Sequence, residues 1–347
     1  MAHIEEPEVR ILSAASSLPG MPVDNAQLAR HFGMDKIWEQ WVEHFIGTRT
    51  RHFARDLNTG EQRTSLTDLA GDAASRALTV AGVAAADVDV MVMGTATPDK
   101  LMPATVNMVA ERLGVNDVPT YQLQSGCSGA VQALDLAYHL LLTGRYRTAL
   151  VVGGDTTAKH FDPAMDISGM PPPQLVNLLL FGDGAGALVL RSGSQAGGLA
   201  ILRRVFTRLT GLGREPGQTL EWYGSADRDS GRPPAAEEYK AIEDSVPAMS
   251  TEIMRELLDD LTWEESDFEF ILPPQLSGRM TRAIVDGLGV PGAQEVSCVT
   301  DTGNMGNALP FFQIERALAE MAPGDRALGL SVESSKWIKA GFAIERV

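Results

Sequence analysis

Apolar and polar positions along the chain follow two alternating periods. Short apolar runs, Val88–Met93, Ala149–Val152 and Ala185–Leu190, read as buried strands, and stretches with helical spacing such as Ser65–Ala81 and Val131–Leu142 lie between them. Strands and helices taken in turn predict an α/β protein.

The pattern also repeats. DVDVMVMGTA from Asp87 is echoed by DFEFILPPQL from Asp267, GCSGA from Gly126 by GNMGNA from Gly303, and TALVVGGDTT from Thr148 by RALGLSVESS from Arg326, at an offset of about 180 residues each time. One offset kept across three segments predicts two halves of one plan, residues 1–200 carrying Cys127 and residues 201–347 carrying Asn304. Between Ile201 and Ala248 the chain turns rich in Gly, Pro and charge, most so in GREPGQTLEWYGSADRDSGRPP. That segment is expected to join the halves and cover a site.

Composition narrows the function. At 347 residues, with 44% hydrophobic and 21% charged positions, the chain has enough material for a large core. A net charge of −16 opposes nucleic acid and anionic membranes, which call for clustered Lys and Arg. The opening MAHIEEPEVRILS lacks a basic region followed by an apolar one, and no apolar run approaches the ~20 residues of a membrane span, so a cytoplasmic protein is expected. Two cysteines and six scattered histidines give neither a disulfide framework nor metal-ligand spacing. We therefore expect no metal and no resident cofactor.

The chemical centre is the turn at Cys127. In TYQLQSGCSGAVQALDLAYHLLLTG a strand-like run ends at Gly126-Cys127-Ser128-Gly129 and an apolar helix begins at once. Unpaired amides and the positive end of the macrodipole at a helix start favour a thiolate, so the thiol pKa is expected to fall and the sulfur to act as a nucleophile. The bland reading is a small cysteine that fills space; the Gly-Cys-x-Gly setting between strand and helix argues against it. At the matching turn of the second half stands Asn304, either an amide donor to a thioester or enolate oxygen in a shared pocket, or a helix cap.

Taken in order, FIGTRTRHFA, GCSGAVQALDLA, RTALVVGGDTTAKHFD, FGDGAGALVL and DTGNMGNALP resemble 3-oxoacyl-acyl-carrier-protein synthase III over nearly the whole chain. The resemblance implies the thiolase fold, two βαβαβαββ halves forming a five-layered αβαβα core, and a homodimer. It also implies an acyl-enzyme on Cys127, a catalytic Asn304, and donors that are acyl-CoA or acyl-carrier protein. Trp41 matches the aromatic that stacks on the CoA adenine, Met102 the partner-subunit residue that gates the acyl tunnel, and Arg279 an arginine of carrier-protein docking. Met305 and Leu309, with Met102 and the Pro171–Leu178 stretch, are expected around the acyl pocket, and SGMPPPQLVNLLL is longer than the matching family segment.

Two departures bear on the reaction. The family's catalytic His is replaced by Pro274 within FILPPQLSGRM, and no histidine follows His160; the family's Gly-Gly-Gly loop is replaced by Ser335-Lys336-Trp337, which alters the oxyanion hole near Gly126 and Lys336. Decarboxylative condensation needs its enolate stabilised by His and Asn jointly, and loss of one such donor costs roughly 100- to 1000-fold. The expectation is therefore an acyltransferase of secondary metabolism that loads Cys127 and passes the acyl group to a hydroxyl, amine or thiol of a small-molecule acceptor. Glu333, Lys336, Asp301 and His160 are the candidate bases. A carbon–carbon bond-forming 3-oxoacyl synthase and a catalytically silent partner subunit are the alternatives.

Overall fold

The computed structural model describes residues 8–160, 166–170, 172–193, 197–222, 227, 229–231 and 235–347, and of residues 172–174 the backbone alone. Phe161 and Asp162 of the RTALVVGGDTTAKHFD run, Pro171, and residues 223–226, 228 and 232–234 of the Gly- and Pro-rich segment lie outside the described residues.

Ten strands form one mixed sheet: β1 (Val9–Ser17), β2 (Val90–Thr95), β3 (Thr120–Gln124), β4 (Thr148–Asp155), β5 (Gly184–Ser192), β6 (Ala200–Leu209), β7 (Phe270–Leu272), β8 (Gln294–Glu295), β9 (Arg326–Glu333) and β10 (Ile338–Arg346). Every residue of β2 and β4 is buried, as expected of parallel strands covered on both faces. The edge strands β3 and β8 are polar and partly exposed, which blunts their unpaired backbone.

The order across the sheet, β8-β7-β9-β10-β6-β1-β5-β4-β2-β3, reads the same from either end once each strand is replaced by its counterpart in the other half. The echoed segments fall on corresponding strands, β2 with β7 and β4 with β9. The halves meet at β1 and β6, which share only the pairs Arg10↔Ile201 and Ile11↔Ala200.

Helices complete five layers. Helices α1 (Leu66–Ala81) and α2 (Thr105–Leu113) cover the outer face of the first half. Helices α3 (Gly129–Leu142) and α4 (Leu309–Glu320) lie between the halves, where Ala130, Leu134, Phe311 and Ile314 join strands of both in one cluster. Helices α5 (Tyr239–Leu261) and α6 (Gly278–Leu288) cover the second half. This is the five-layered arrangement that the resemblance implies.

The inner layer is held close because glycines let backbone touch backbone. A Cβ on Gly94 of β2 would come within 2.3 Å of the Gly129 carbonyl at the start of α3, and one on Gly153 of β4 within 2.4 Å of the Asn307 carbonyl just before α4. These contacts set how deep the two turns sit. Gly94→Ala is expected to destabilise the fold by about 2–3 kcal/mol in urea unfolding, because backbone cannot give way as a flexible side chain can. A loss below about 0.5 kcal/mol would show that the α3 backbone is free to move.

Candidate active site

The Cys127 turn is built by bonds from both halves. Gly129 N–H donates to the Gly126 carbonyl at 2.9 Å and closes the turn, and Gln132 N–H to the Ser128 carbonyl at 2.9 Å starts the helix. From the second half, Asn307 Oδ1 accepts the Ala130 N–H at 2.7 Å, Asn307 Nδ2 donates to the Ser125 carbonyl at 3.2 Å, and Ser331 Oγ donates to the Cys127 carbonyl at 3.3 Å.

The Asn304 turn follows Gly303, whose φ of +71° only glycine adopts without strain. Asn304 N–H donates to the Leu180 carbonyl at 2.9 Å and its own carbonyl accepts from Gly182 N–H at 3.1 Å, so the glycine-rich FGDGAGA strand start pins this turn. Its side-chain oxygen accepts the Gly306 N–H at 3.0 Å, while Nδ2 makes one long bond of 3.4 Å to the Leu276 carbonyl.

Two buried carboxyls brace these turns. Asp155, last in β4, accepts from the Thr95 and Thr97 hydroxyls and the Ala96 and Thr97 amides on one oxygen, and from Asn307 N and Nδ2 at 2.8 Å each on the other. Burial lifts its pKa despite those bonds. Asp183 holds the Ala54 and Ala158 amides and the Thr157 hydroxyl, and burial raises it to about 6.

Both turns open onto one cavity of about 310 Å³, where Cys127 and Asn304 share the lining with Pro274, Gln275, Glu237 and Ser334. Trp41, Phe45, Tyr239 and Arg279 line it as well, with the Trp41 and Phe45 rings 5.6 Å apart and Tyr239 and Arg279 partly in solvent.

Residues 121–207 match the family model of 3-oxoacyl-[acyl-carrier-protein] synthase III. Beta-ketoacyl-[acyl-carrier-protein] synthase III 5 of Streptomyces coelicolor is 31% identical over 329 residues, 90% of this chain and 90% of the relative. The chain belongs to the 3-oxoacyl-acyl-carrier-protein synthase III family. Among solved structures, the tetronic acid condensing enzyme AbyA1 superposes with a TM-score of 0.94 at 60% identity, covering 97% of this chain and 99% of AbyA1. The synthase III of Pseudomonas aeruginosa superposes with a TM-score of 0.82 at 27% identity, covering 98% of each chain. The fold is thus the thiolase fold of that enzyme family.

Set against this synthase III frame, the candidate residues divide. Cys127, Asn304, Pro274, Trp41 and Arg279 come together around the cavity. Met305 does not: it is fully buried behind the turn with Cys298 and Phe312, because the residue after Asn304 points into the core, whereas Leu309 of the same cluster lines the cavity as expected. Met102 is 85% exposed and outside the cavity of its own chain. Lys336 turns away, its Nζ donating to the Arg214 carbonyl.

The loop that replaces the family's glycines therefore presents Ser334, not Lys336, to the site. Its anchor is Trp337, buried with φ +63°, its indole donating to the Glu215 carbonyl at 2.7 Å under the Arg214 guanidinium. Of the candidate bases, exposed Asp301 pairs with Arg49, and His160, whose burial depresses its pKa to about 4, stands outside the cavity. Glu333 lies beneath the Cys127 turn, and its carboxylate leaves no room for any side chain at Gly126.

The expected low thiol pKa is not found. Helix α3 starts two residues after Cys127, and burial first, then the charges of Glu333, Asp155 and Glu237, push the thiol well above its usual range. Glu237 escaped sequence reading because it sits in the irregular segment with no motif around it. The strand Ala235–Glu237 pairs with Gln218–Leu220 and carries it to the cavity, where Gln218 Nε2 donates to its carboxylate at 2.6 Å.

Because Asn307 ties the Cys127 turn to Asp155, Asn307→Ala strands the Ala130 amide in the interior and takes one of two donors from an Asp155 oxygen, which keeps the backbone N–H of residue 307. We expect about 2–4 kcal/mol of lost stability in urea unfolding, whereas a change under about 0.5 kcal/mol would show the turns are held by packing alone.

Proposed function

We propose that this synthase III homologue is a condensing acyltransferase that builds a tetronic acid ring. A hydroxyacyl thioester is held on Cys127, and its acceptor is a 3-oxoacyl thioester. The observation that carries the reading is the cavity's lining: Cys127, Asn304 and Pro274 are in it, Pro274 at the position to which the resemblance assigns the family's histidine, and no histidine lines it among the described residues. The 60% identity to AbyA1 supports the same reading.

A tetronic acid is a five-membered lactone with an enolised 1,3-dicarbonyl. Closing it takes one carbon–carbon bond from a carbon flanked by two carbonyls to the acyl carbon on Cys127. It also takes one ester bond, from a hydroxyl on the neighbouring carbon of the acyl group to the acceptor's own thioester. Two thiols leave, and they take up the protons lost by the carbon acid and the hydroxyl.

Such an acceptor explains the missing imidazole. Decarboxylation of a malonyl thioester leaves an enolate on one carbonyl that needs two external donors, whereas the 3-oxoacyl enolate spreads over two carbonyls. Asn304 Nδ2, free but for its long bond to Leu276, is the remaining donor. Lactone closure is a second thioester displacement, in which the hydroxyl attacks the acceptor's own thioester carbonyl and that thiol leaves.

Glu237 supplies the base for the acceptor. It lines the cavity, is anchored by Gln218, and its pKa is raised by burial, which moves a carboxylate toward proton-transfer range at neutral pH. Trp41 and Arg279 then receive the CoA or carrier-bound arm. A homodimer completes the site, exposed Met102 reaching the partner's acyl tunnel.

With glycoloyl-CoA, intact-protein mass is expected to show an adduct that Cys127→Ala lacks. Acetoacetyl-CoA should discharge it as 3-acetyltetronic acid. Discharge to an open-chain ester, or hydrolysis alone, would overturn the ring-forming reading. Glu237→Gln is expected to slow ring formation about 100-fold while leaving the adduct rate within about twofold; equal loss in both steps would remove Glu237 from the acceptor side.

A further inference from the structure

The hairpin that brings Glu237 to the cavity has little of its own to stand on. Its strands, Gln218–Leu220 and Ala235–Glu237, are three residues each, and none of these side chains joins an apolar cluster among the described residues. Two strands of that length are not stable by themselves in water. What holds them is the loop after β9. Gly217 N–H donates to the Ser334 carbonyl at 3.0 Å, and the Gly217 carbonyl accepts the Glu238 N–H at 2.8 Å, so one glycine ties both strands to that loop.

Trp337 is the part of the loop on which Gly217 rests. Its indole is buried in the cluster of the second half with Phe206, Ile253 and Leu257, and its six-membered ring reaches out to Gly217, where a Cβ would come within 2.8 Å of Cζ2 and 2.9 Å of Cη2. The same residue is tied to the segment before Gly217: its carbonyl accepts the Thr210 N–H at 2.9 Å, its indole N–H donates to the Glu215 carbonyl at 2.7 Å, and the Arg214 guanidinium lies 3.7 Å from its ring. We propose that Trp337 is a positioning residue for the acceptor side of the reaction: through Gly217 it fixes the hairpin, and with it the place of Gln218 and Glu237 in the cavity lining. This rests on the reading of Glu237 as the acceptor's base.

The backbone agrees with the assignment. Trp337 is held at φ +63°, a conformation that a bulky side chain keeps only where its surroundings enforce it. Glycine would sit there without strain, and three glycines, which the resemblance gives the family at this loop, would leave the hairpin no ring to rest on. Nor can the hairpin place itself. Gln218 lies opposite Glu237 in the strand register and bonds its carboxylate at 2.6 Å, so the two move together, and Asn177 adds a bond to Glu237 from outside the hairpin. The position of the pair is set where Gly217 meets Ser334 and Trp337. Two departures from the family, the replaced glycines and the carboxylate in the cavity, are thus one structural unit.

Trp337→Leu and Gly217→Ala test this, the first by removing the ring and the second by pressing a methyl group against it and the Ser334 carbonyl. In hydrogen exchange read by mass spectrometry, the Gly217 and Glu238 amides should exchange at least about tenfold faster in both variants, while the Ala130 amide, held by Asn307, keeps its wild-type rate. With glycoloyl-CoA the Cys127 adduct should form within about twofold of the wild-type rate. With acetoacetyl-CoA, kcat of ring formation should fall about tenfold while KM stays within about twofold, and Trp337→Phe, which keeps a ring against Gly217, should recover most of the loss. Unchanged exchange in both variants would overturn the proposal. So would equal loss in loading and in ring formation, the mark of less folded protein, or faster exchange with undiminished ring formation in an enzyme that Glu237→Gln does slow. Faster exchange in an enzyme that Glu237→Gln leaves unaffected would support the seat on Trp337 and refute the base.

Discussion

Asn307 joins the two turns on which the site depends. One side chain accepts the Ala130 amide at the start of the nucleophile helix, donates to the Ser125 carbonyl before it, and donates to Asp155 at the end of β4. The bonds to Ala130 and Asp155 are buried and the bond to Ser125 is partly so, which makes them expensive to leave unmade. The clasp fixes the separation of Cys127 and Asn304, and the glycines at 94 and 153 let the turns sink far enough for it to close. The cavity lies where two symmetric halves meet, one half supplying Cys127 to its lining and the other Asn304.

Much of this was legible in the sequence because duplication leaves a constant offset. The echo placed β2 against β7 and β4 against β9, and the Gly-Cys-x-Gly and Gly-Asn turns marked Cys127 and Asn304. What was lost is what depends on direction and on convergence from afar. The sequence does not tell which way the residue after a turn points, hence Met305 in the core and Lys336 on the far side of its loop. Nor does local pattern reveal that burial first, and then the charges of carboxyls as far apart in sequence as 155, 237 and 333, reverse the pKa shift expected from a helix start.

On the proposed reading one chemical change runs through the site. Pro274 lines the cavity at the position where the resemblance puts an imidazole, and Glu237 reaches it on a hairpin strand from the irregular segment. A site with one donor for an enolate and a carboxylate at hand favours proton acceptance over electrostatic stabilisation. That balance suits substrates already acidic at carbon or carrying a hydroxyl, and it disfavours decarboxylation, where new negative charge must be stabilised among existing ones.

Condensation without decarboxylation is tested with malonyl-CoA labelled in its free carboxyl group, given to the acyl-loaded enzyme beside an equal supply of a 3-oxoacyl thioester. The 3-oxoacyl thioester is expected to be consumed while labelled carbon dioxide stays at the level of the Cys127→Ala control. Labelled carbon dioxide released in step with product would contradict that expectation.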